Sequence, residues 1–308
     1  GGARPPVQAM TRLIDEHRGV YGAESICKQL PLAPSTYHRH AARQADPAKR
    51  PARAQRDEVL CAQMRRAWEE NFEVYGARKL WRELRRQQVD VARCTVERLM
   101  RRLGIRGVIR GKGVKTTVSD RAQPCPQDLV NRQFKASRPN ALWVSDFTYV
   151  STWQGMVYVA FVIDVYARRI VGWRVSSSMQ TDFVLDALEQ ALHERRPAQK
   201  TLIHHSDRGV QYVSMHYSER LADAKIAPSV GSVGDSYDNA LAETINGLYK
   251  AEVIHRRSWP TREAVELATL TWVDWFNHRR LLSSIGNIPP AEAEAIYYAV
   301  AAEQKQAA

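Results

Sequence analysis

Three acidic residues stand where a carboxylate needs a chemical reason. Asp146 sits in the middle of Trp143-Val144-Ser145-Asp146-Phe147-Thr148-Tyr149, a run whose other residues read as a half-buried strand. Asp207 lies just past a short predicted strand in His204-His205-Ser206-Asp207-Arg208-Gly209, at a carboxyl end of the kind where α/β sheets present ligands. Glu243 falls in the first turn of a predicted helix, in Asp238-Asn239-Ala240-Leu241-Ala242-Glu243, with 35 residues between it and Asp207. Acids arriving from two strands and a helix can converge on one metal site, because hard divalent cations such as Mg²⁺ take oxygen ligands and retain waters.

Other polar groups nearby compete for roles. Lys250 lies seven residues after Glu243, two helical turns on, so both project from one face, while Leu241, Ile245 and Leu248 are expected to bury roughly opposite. Asn239 is open to two roles, a hydrogen bond near the acids or a helix cap shared with Asp238. Asp164 reads as a turn residue or a partner for Arg168, and only secondarily as a metal ligand. Asp235 and Asp238 compete with Glu243 as ligands, but their Gly-rich setting suits a mobile loop over the site. His204 and His205 lack a second cluster of ligands, which favours a structural or DNA-contact role over zinc or acid–base chemistry.

The elements that must hold these residues begin at Leu142. Strands are expected over Leu142–Val150, Met156–Val165 and Arg169–Ser176, with connections short enough to make them antiparallel. A helix capped by Thr181 or Asp182 follows, then a strand at Thr201–His205, a helix at Ser214–Lys225 and a further strand at Ala227–Val230. Helical sequence returns at Ala240–Ile254, Arg262–His278 and Ala291–Ala301. This order predicts a mixed α/β layer fold, in which Trp272, Trp275 and Phe276 pack between helices rather than stack on bases.

The N-terminal part has a different grammar. Val20-Tyr21-Gly22-Ala23 is echoed by Val74-Tyr75-Gly76-Ala77, and each copy opens a short helix, a turn and a second helix. The second copy is the clearer, with helices at Arg78–Gln87 and Arg93–Leu103 and a stop at Gly104. Val96, Leu99, Met100 and Leu103 share one face of its second helix, leaving Arg93, Arg98, Arg101 and Arg102 for phosphate. In the first copy Pro34-Ser35-Thr36 starts the second helix.

Of the 45 Lys and Arg, 25 fall within residues 1–120 against 13 of the 33 Asp and Glu, so the whole net charge of +12 resides there. Such a basic segment joined to a neutral body suits a nucleic-acid-gripping module. With 44% hydrophobic and 25% charged residues the composition excludes a largely disordered or collagen-like chain. The four cysteines show no zinc spacing and are expected as reduced, buried thiols. No stretch reaches 18 consecutive apolar residues and the start has no apolar signal core, which predicts a cytoplasmic, nucleoid-associated protein with no membrane partner. Gly1-Gly2 in place of an initiating Met suggests a processing scar, with the natural N-terminus further upstream.

The acids and their surroundings closely resemble the D-D-(35)-E triad of retroviral-integrase-type transposases. Three strings carry the likeness: Trp143-x-x-Asp146-x-Thr148-Tyr149, His205-Ser206-Asp207-x-Gly209-x-Gln211-Tyr212 and Gly234-Asp235-x-Tyr237-Asp238-Asn239-Ala240-x-x-Glu243. They match bacterial insertion-sequence transposases, specifically the larger product, OrfB, of elements with two overlapping frames, over residues from about 20 to 297. The closing segment departs from the pattern at Phe276 and Leu282, where relatives often carry Tyr and His.

The resemblance implies an RNase H-like mixed sheet flanked by helices, preceded by all-α helix-turn-helix modules. The corresponding division is 1–50 and 51–110 for the two helix-turn-helix modules, 111–136 for a basic linker, 137–250 for the catalytic core and 251–308 for a helical extension. It further implies two Mg²⁺ or Mn²⁺ ions held by Asp146, Asp207 and Glu243, with Asp146 bridging and Lys250 contacting the DNA end. The activity would be nicking and joining of DNA at terminal inverted repeats through a circular intermediate, by a homodimer or larger assembly. A smaller-frame protein with a coiled coil is an implied partner, since no sustained heptads occur here. Two alternatives remain, a structure-selective nuclease without joining activity and a catalytically silent DNA-binding regulator.

Overall fold

A computed structural model describes residues 5–111, 128–130, 133–207, 209, 211–212, 214–230 and 239–307. The chain divides into two compact units, Gly1–Arg66 and Ala67–Ala308.

In the first unit, helices α1 (Val7–Tyr21), α2 (Ala23–Gln29) and α3 (Pro34–Ala45) enclose Met10, Ile14, Cys27, Leu32 and Tyr37. Pro34 opens α3 at its first turn, where the missing N–H has no intrahelical acceptor to lose. The Tyr37 hydroxyl donates to Asp15 at 2.8 Å, so a buried ring keeps its polar end satisfied. The division between units falls within α4 (Ala52–Glu69).

The second unit opens with α5 (Ala77–Arg86) and α6 (Arg93–Leu103), which bury Leu80 and Leu84 on one helix and Val96, Leu99 and Met100 on the other. Gly104 adopts φ 68°, and its N–H and that of Ile105 bond to Arg101 O and Met100 O, closing α6 as expected. Cys27 and Cys61 are buried, but Cys94 is exposed on the outer face of α6, one residue past Arg93, which corrects the expectation of four buried thiols; Cys125 lies outside the described residues.

The sheet consists of β1 (Leu142–Thr152), β2 (Gly155–Asp164), β3 (Arg169–Ser176), β4 (Ile203–Ser206) and β5 (Ala227–Val230), in the order β3-β2-β1-β4-β5. The first three strands are antiparallel, and β4 and β5 run parallel to β1. Helices α7 (Thr181–Arg195) and α8 (Met215–Asp223) cover one face, packing Phe183, Ala187, Leu188, Tyr217 and Leu221 against Trp143, Ala160, Val162 and Val171. On the other face Phe161 meets Tyr249 of α9 (Ala240–Glu252) and Trp272 of α10 (Arg262–His278), with ring centroids 5.2 and 5.9 Å apart. Gly172 lets α7 approach β3: a Cβ there would collide with Ala187 O. Trp272, Trp275 and Phe276 are buried in packing, as their pattern predicts.

Neither Thr181 nor Asp182 caps α7; Gln180 occupies the cap position without a side-chain bond, and Thr181 is already helical, too far along to reach back to the free N–H groups. Of the two roles open to Asp164 the structure takes the turn residue: its carboxylate accepts from the N–H groups of Tyr166 (2.9 Å) and Asn140 (2.6 Å) and lies 3.8 Å from Arg195, while Arg168 donates to Phe134 O instead.

The end of α9 is tied to the segment after α10 by a buried ion pair. Arg280 Nε donates to Glu252 Oε2 at 3.0 Å, its second nitrogen donates to Oε1, and the Trp272 indole N–H adds a third bond at 3.1 Å. Removing one partner from such a pair strands the other charge, at a cost of about 3–5 kcal/mol. Arg280→Met is therefore expected to lower the urea midpoint of this unit by that equivalent, and the double variant Glu252→Met/Arg280→Met to recover most of it. An unchanged midpoint in the single variant contradicts the account.

Candidate active site

The parallel pairing of β1 with β4 ends at Ser145 opposite Ser206, so Asp146 and Asp207 continue the register side by side. Adjacent strands lie about 4.8 Å apart, which puts two carboxylates within a few ångströms of one another. Glu243 comes from α9, which packs on β1 and leaves that side chain exposed. Asp146 accepts from Phe147 N–H at 2.8 Å and from Asn246 Nδ2 at 2.9 Å, and Asp207 accepts from Gly209 N–H at 3.0 Å. Burial pushes the Asp146 carboxyl well above the usual range, and the charges of Asp207 and then Glu243 push the same way against the two hydrogen bonds. Burial also raises Asp207, opposed by the Gly209 bond.

A cluster of this kind fits a hard cation. Its donors are all carboxylate oxygens, and the buried Asn239 and Asn246 each leave a side-chain oxygen without a hydrogen-bond partner among the described residues. Among those residues no three His, Cys, Asp or Glu side chains gather closely enough to hold one ion. The fold therefore brings Asp146 and Asp207 together, where like charges repel, while Glu243 stays exposed on α9 and is not gathered with them, which corrects the expected convergence of all three acids. Asp235 and Asp238, the competing acids, lie outside the described residues.

The sequence reading missed Asn246, one helical turn past Glu243, whose amide reaches Asp146 from the same helix. The signal was available in the i, i+3 spacing from Glu243 and the i, i+4 spacing to Lys250. Asn239 resolves toward the acids: its amide donates to Ser145 O at 2.8 Å and makes no cap. The Lys250 ammonium lies 4.6 Å from the Tyr149 ring centre; burial lowers its pKa, and the Asp146 charge works the other way. The buried stripe of α9 runs through Ala242, Ile245, Asn246 and Tyr249, so Leu241 and Leu248 are only half-buried, correcting the expected phase by one residue.

Arg110 also lies beside this helix, which the sequence reading did not anticipate. Its side chain crosses α9 at Gly247, where an added Cβ would stand 2.9 Å from Arg110 Cδ. Gly247 is four residues after Glu243 and three before Lys250, so the guanidinium rests on the face those two share. His204 and His205 serve structure: His204 Nε2 bonds Ser145 Oγ (2.7 Å) and Tyr217 OH (3.1 Å), and His205 Nδ1 bonds Ser229 Oγ (2.9 Å). Burial drives His204 down to about 3, which keeps it neutral. On α6, Arg93, Arg101 and Arg102 are exposed and Arg98 is half-buried; Arg93 pairs with Glu97 at 3.1 Å.

Residues 136–236 and 224–290 match two family models described as integrase core domain, and residues 54–113 match one described as HTH-like domain. The chain is 60% identical over 290 residues to the transposase for insertion sequence element IS629 of Shigella sonnei, covering 94% of this chain and 97% of that one. It is 56% identical over 275 residues to a putative transposase for insertion sequence element IS986/IS6110 of Mycobacterium tuberculosis (strain CDC 1551 / Oshkosh), covering 88% and 97%. Among solved structures, the HTLV-2 integrase catalytic core domain in complex with magnesium matches at 15% identity and a TM-score of 0.41, over 51% of this chain and 98% of that one. Paired strand carboxylates in an integrase core, preceded by an HTH-like DNA-binding domain, go together with near full-length similarity, and the chain belongs to the insertion-sequence transposases, a family of polynucleotidyl transferases.

Proposed function

We propose that this chain nicks the 3′ ends of its element at the terminal inverted repeats and joins them to DNA, with Asp146, Asp207 and Glu243 as the catalytic acids. The observation that carries the reading is the β1–β4 register that sets Asp146 beside Asp207, with α9, the helix of Glu243, bringing the Asn246 amide onto Asp146. Two divalent cations, Mg²⁺ or Mn²⁺, supply activation of the attacking oxygen and stabilisation of the leaving oxygen in an in-line displacement. Asp146, Asp207 and Glu243 would hold the ions. Asn246 orients Asp146 through its amide, and the sheet fixes the spacing of the first two acids. Lys250 and Arg110, on the same face of α9 as Glu243, bind phosphates of the DNA end.

The exposed arginines of α6, with Arg98 beside them, grip the terminal repeats. Water is the nucleophile for nicking, and a DNA 3′-hydroxyl for joining. One end attacks the same strand beside the other end, giving a circular intermediate, and pairing the two ends requires a homodimer or larger assembly. The smaller-frame protein with its coiled coil joins this assembly at the nucleoid. Among the described residues no helix is long and apolar enough to cross a membrane.

Asp146→Asn, Asp207→Asn and Glu243→Gln are each expected to abolish cleavage and joining of labelled end DNA in Mg²⁺ while leaving its gel-shift affinity within a few-fold. Retained chemistry in all three overturns the assignment of the acids. Replacing Arg101 and Arg102 together by Ala should reduce the slope of log affinity against log salt by about 0.9 for each phosphate that the wild-type pair neutralises.

The raised Asp146 pKa gives a third expectation. Stability from the neutral carboxyl is present below the ordinary carboxylate range and is lost as pH rises toward the raised value, so above that range the paired acids cost stability. Mg²⁺ should raise the thermal midpoint of the wild type, by the equivalent of about 2.7 kcal/mol at 100 times its Kd. Asp146→Asn should raise the midpoint in EDTA and abolish the Mg²⁺ shift. A Mg²⁺ shift that survives in this variant places the ion elsewhere.

A further inference from the structure

The hairpin of β1 and β2 turns through Trp153 and Gln154, and its tip meets the segment that follows α9. Trp153 N–H donates to Trp259 O at 3.0 Å, and the buried Trp259 indole donates to Ile254 O at 3.0 Å, so the two segments are fastened together. Between them lies a cavity of about 500 Å³, whose walls include Tyr149, Trp153, Met156, Lys250, Arg257 and Trp259. Its rings and cations are interleaved, with the Lys250 ammonium 4.6 Å from the Tyr149 centroid and the Arg257 guanidinium 4.3 Å from that of Trp259. None of the described lining residues is acidic. Trp153 is 77% exposed although its backbone is pinned.

These features select a ligand. The volume falls in the range of roughly 300–1,000 Å³ typical of small-molecule pockets. Lys250 and Arg257 in a wall without carboxylates favour an anion such as phosphate. Aromatic side chains beside cations give a stacking platform for a base, which accepts any base because each has a π-face. Inside a duplex those faces are covered, so only an unpaired nucleotide can use them. Lys250 belongs both to this wall and to the helix carrying Glu243, two turns further along it.

We propose that this cavity holds one unpaired nucleotide of the DNA strand adjoining the scissile phosphodiester, its base stacked on Trp153 and its phosphate held by Lys250 and Arg257. The inference rests on the transposase reading and adds a function for the hairpin tip. Drawing one nucleotide out of the duplex frees the neighbouring phosphodiester to approach Asp146 and Asp207, which a paired strand could reach only with its partner strand in the way.

The test uses the full chain and duplexes of the element end carrying 5-iodouracil at successive positions across the cleavage junction, irradiated in EDTA and mapped by mass spectrometry. A crosslink to the peptide containing Tyr149 and Trp153, confined to one or two positions beside the junction and reduced in Trp153→Ala, is expected. In parallel, Trp153→Ala should slow nicking of fully paired ends about 10-fold, the order of effect of losing one stacked base. Trp153→Phe should retain most of the rate, and ends with a mismatch at the crosslinked position should restore it to Trp153→Ala. Crosslinks absent from this peptide at every position, or a Trp153→Ala enzyme that nicks paired ends at the wild-type rate, overturn the proposal. The crosslink forms without cleavage, so a wild type that crosslinks here but never nicks with Mg²⁺ contradicts the proposed chemistry and leaves the nucleotide site standing. Nicking without the crosslink does the reverse.

Discussion

The parallel pairing of β1 with β4 sets Asp146 beside Asp207 with two like charges partly removed from water. That juxtaposition is unfavourable by itself, and the surrounding structure holds it in place. Phe147 and Gly209 offer backbone N–H groups, and Asn246 offers its amide. Under the pair, the Ser145–His204–Tyr217 chain of hydrogen bonds and the Asn239 bond to Ser145 O prevent the strand end from spreading. A neutral His204 suits this role, since a charged imidazole would have to be desolvated in the core. The strain is therefore electrostatic and local, and it is of the sign that a cation or a metal-bound phosphate relieves.

Helix α9 transmits this arrangement to the rest of the unit. One of its faces carries Glu243, Gly247 and Lys250; its buried face carries Asn246 toward Asp146 and Tyr249 toward Thr269 of α10, at 2.6 Å. Its last turn delivers Glu252 to Arg280 and Trp272. From α10, Asn277 uses both ends of its amide on Ile170 of the edge strand, completing bonds that a sixth strand would otherwise make. The helical module is fastened to the same C-terminal region: Tyr75 OH accepts from Leu281 N–H at 2.8 Å and Trp275 donates to Asn71 at 3.1 Å. Basic helix α6 and the acids thus belong to one packed unit.

The internal echo shows how far a motif travels. Tyr21 and Tyr75 occupy matching places, yet Tyr21 is 66% exposed and Tyr75 is fully buried. The difference arises because Tyr75 meets the backbone of Arg279 and Leu281, more than 200 residues away along the chain, and no local pattern reports that meeting. The exposed Cys94 and the shifted burial phase of α9 have a similar origin, since which helix face is covered depends on what arrives against it.

What the amino-acid order determined by itself was local and periodic. Alternation and short connections marked β1 to β3, apolar periodicity marked α6, α7 and α10, and Gly104 marked a helix end, because each depends on residues within a turn or two of one another. Asp146 stood out for a related reason: a carboxylate at a strand position that should be half-buried is costly unless it has work to do. Tertiary structure alone decided that β4 pairs in parallel with β1, which makes neighbours of Asp146 and Asp207. It also decided that Asn246 would hold Asp146, that Arg110 would cross α9 at Gly247, and that Tyr149, Trp153 and Trp259 would meet around one cavity. Each of those depends on segments far apart in the chain coming together, where spacing along the sequence carries no information about distance in space.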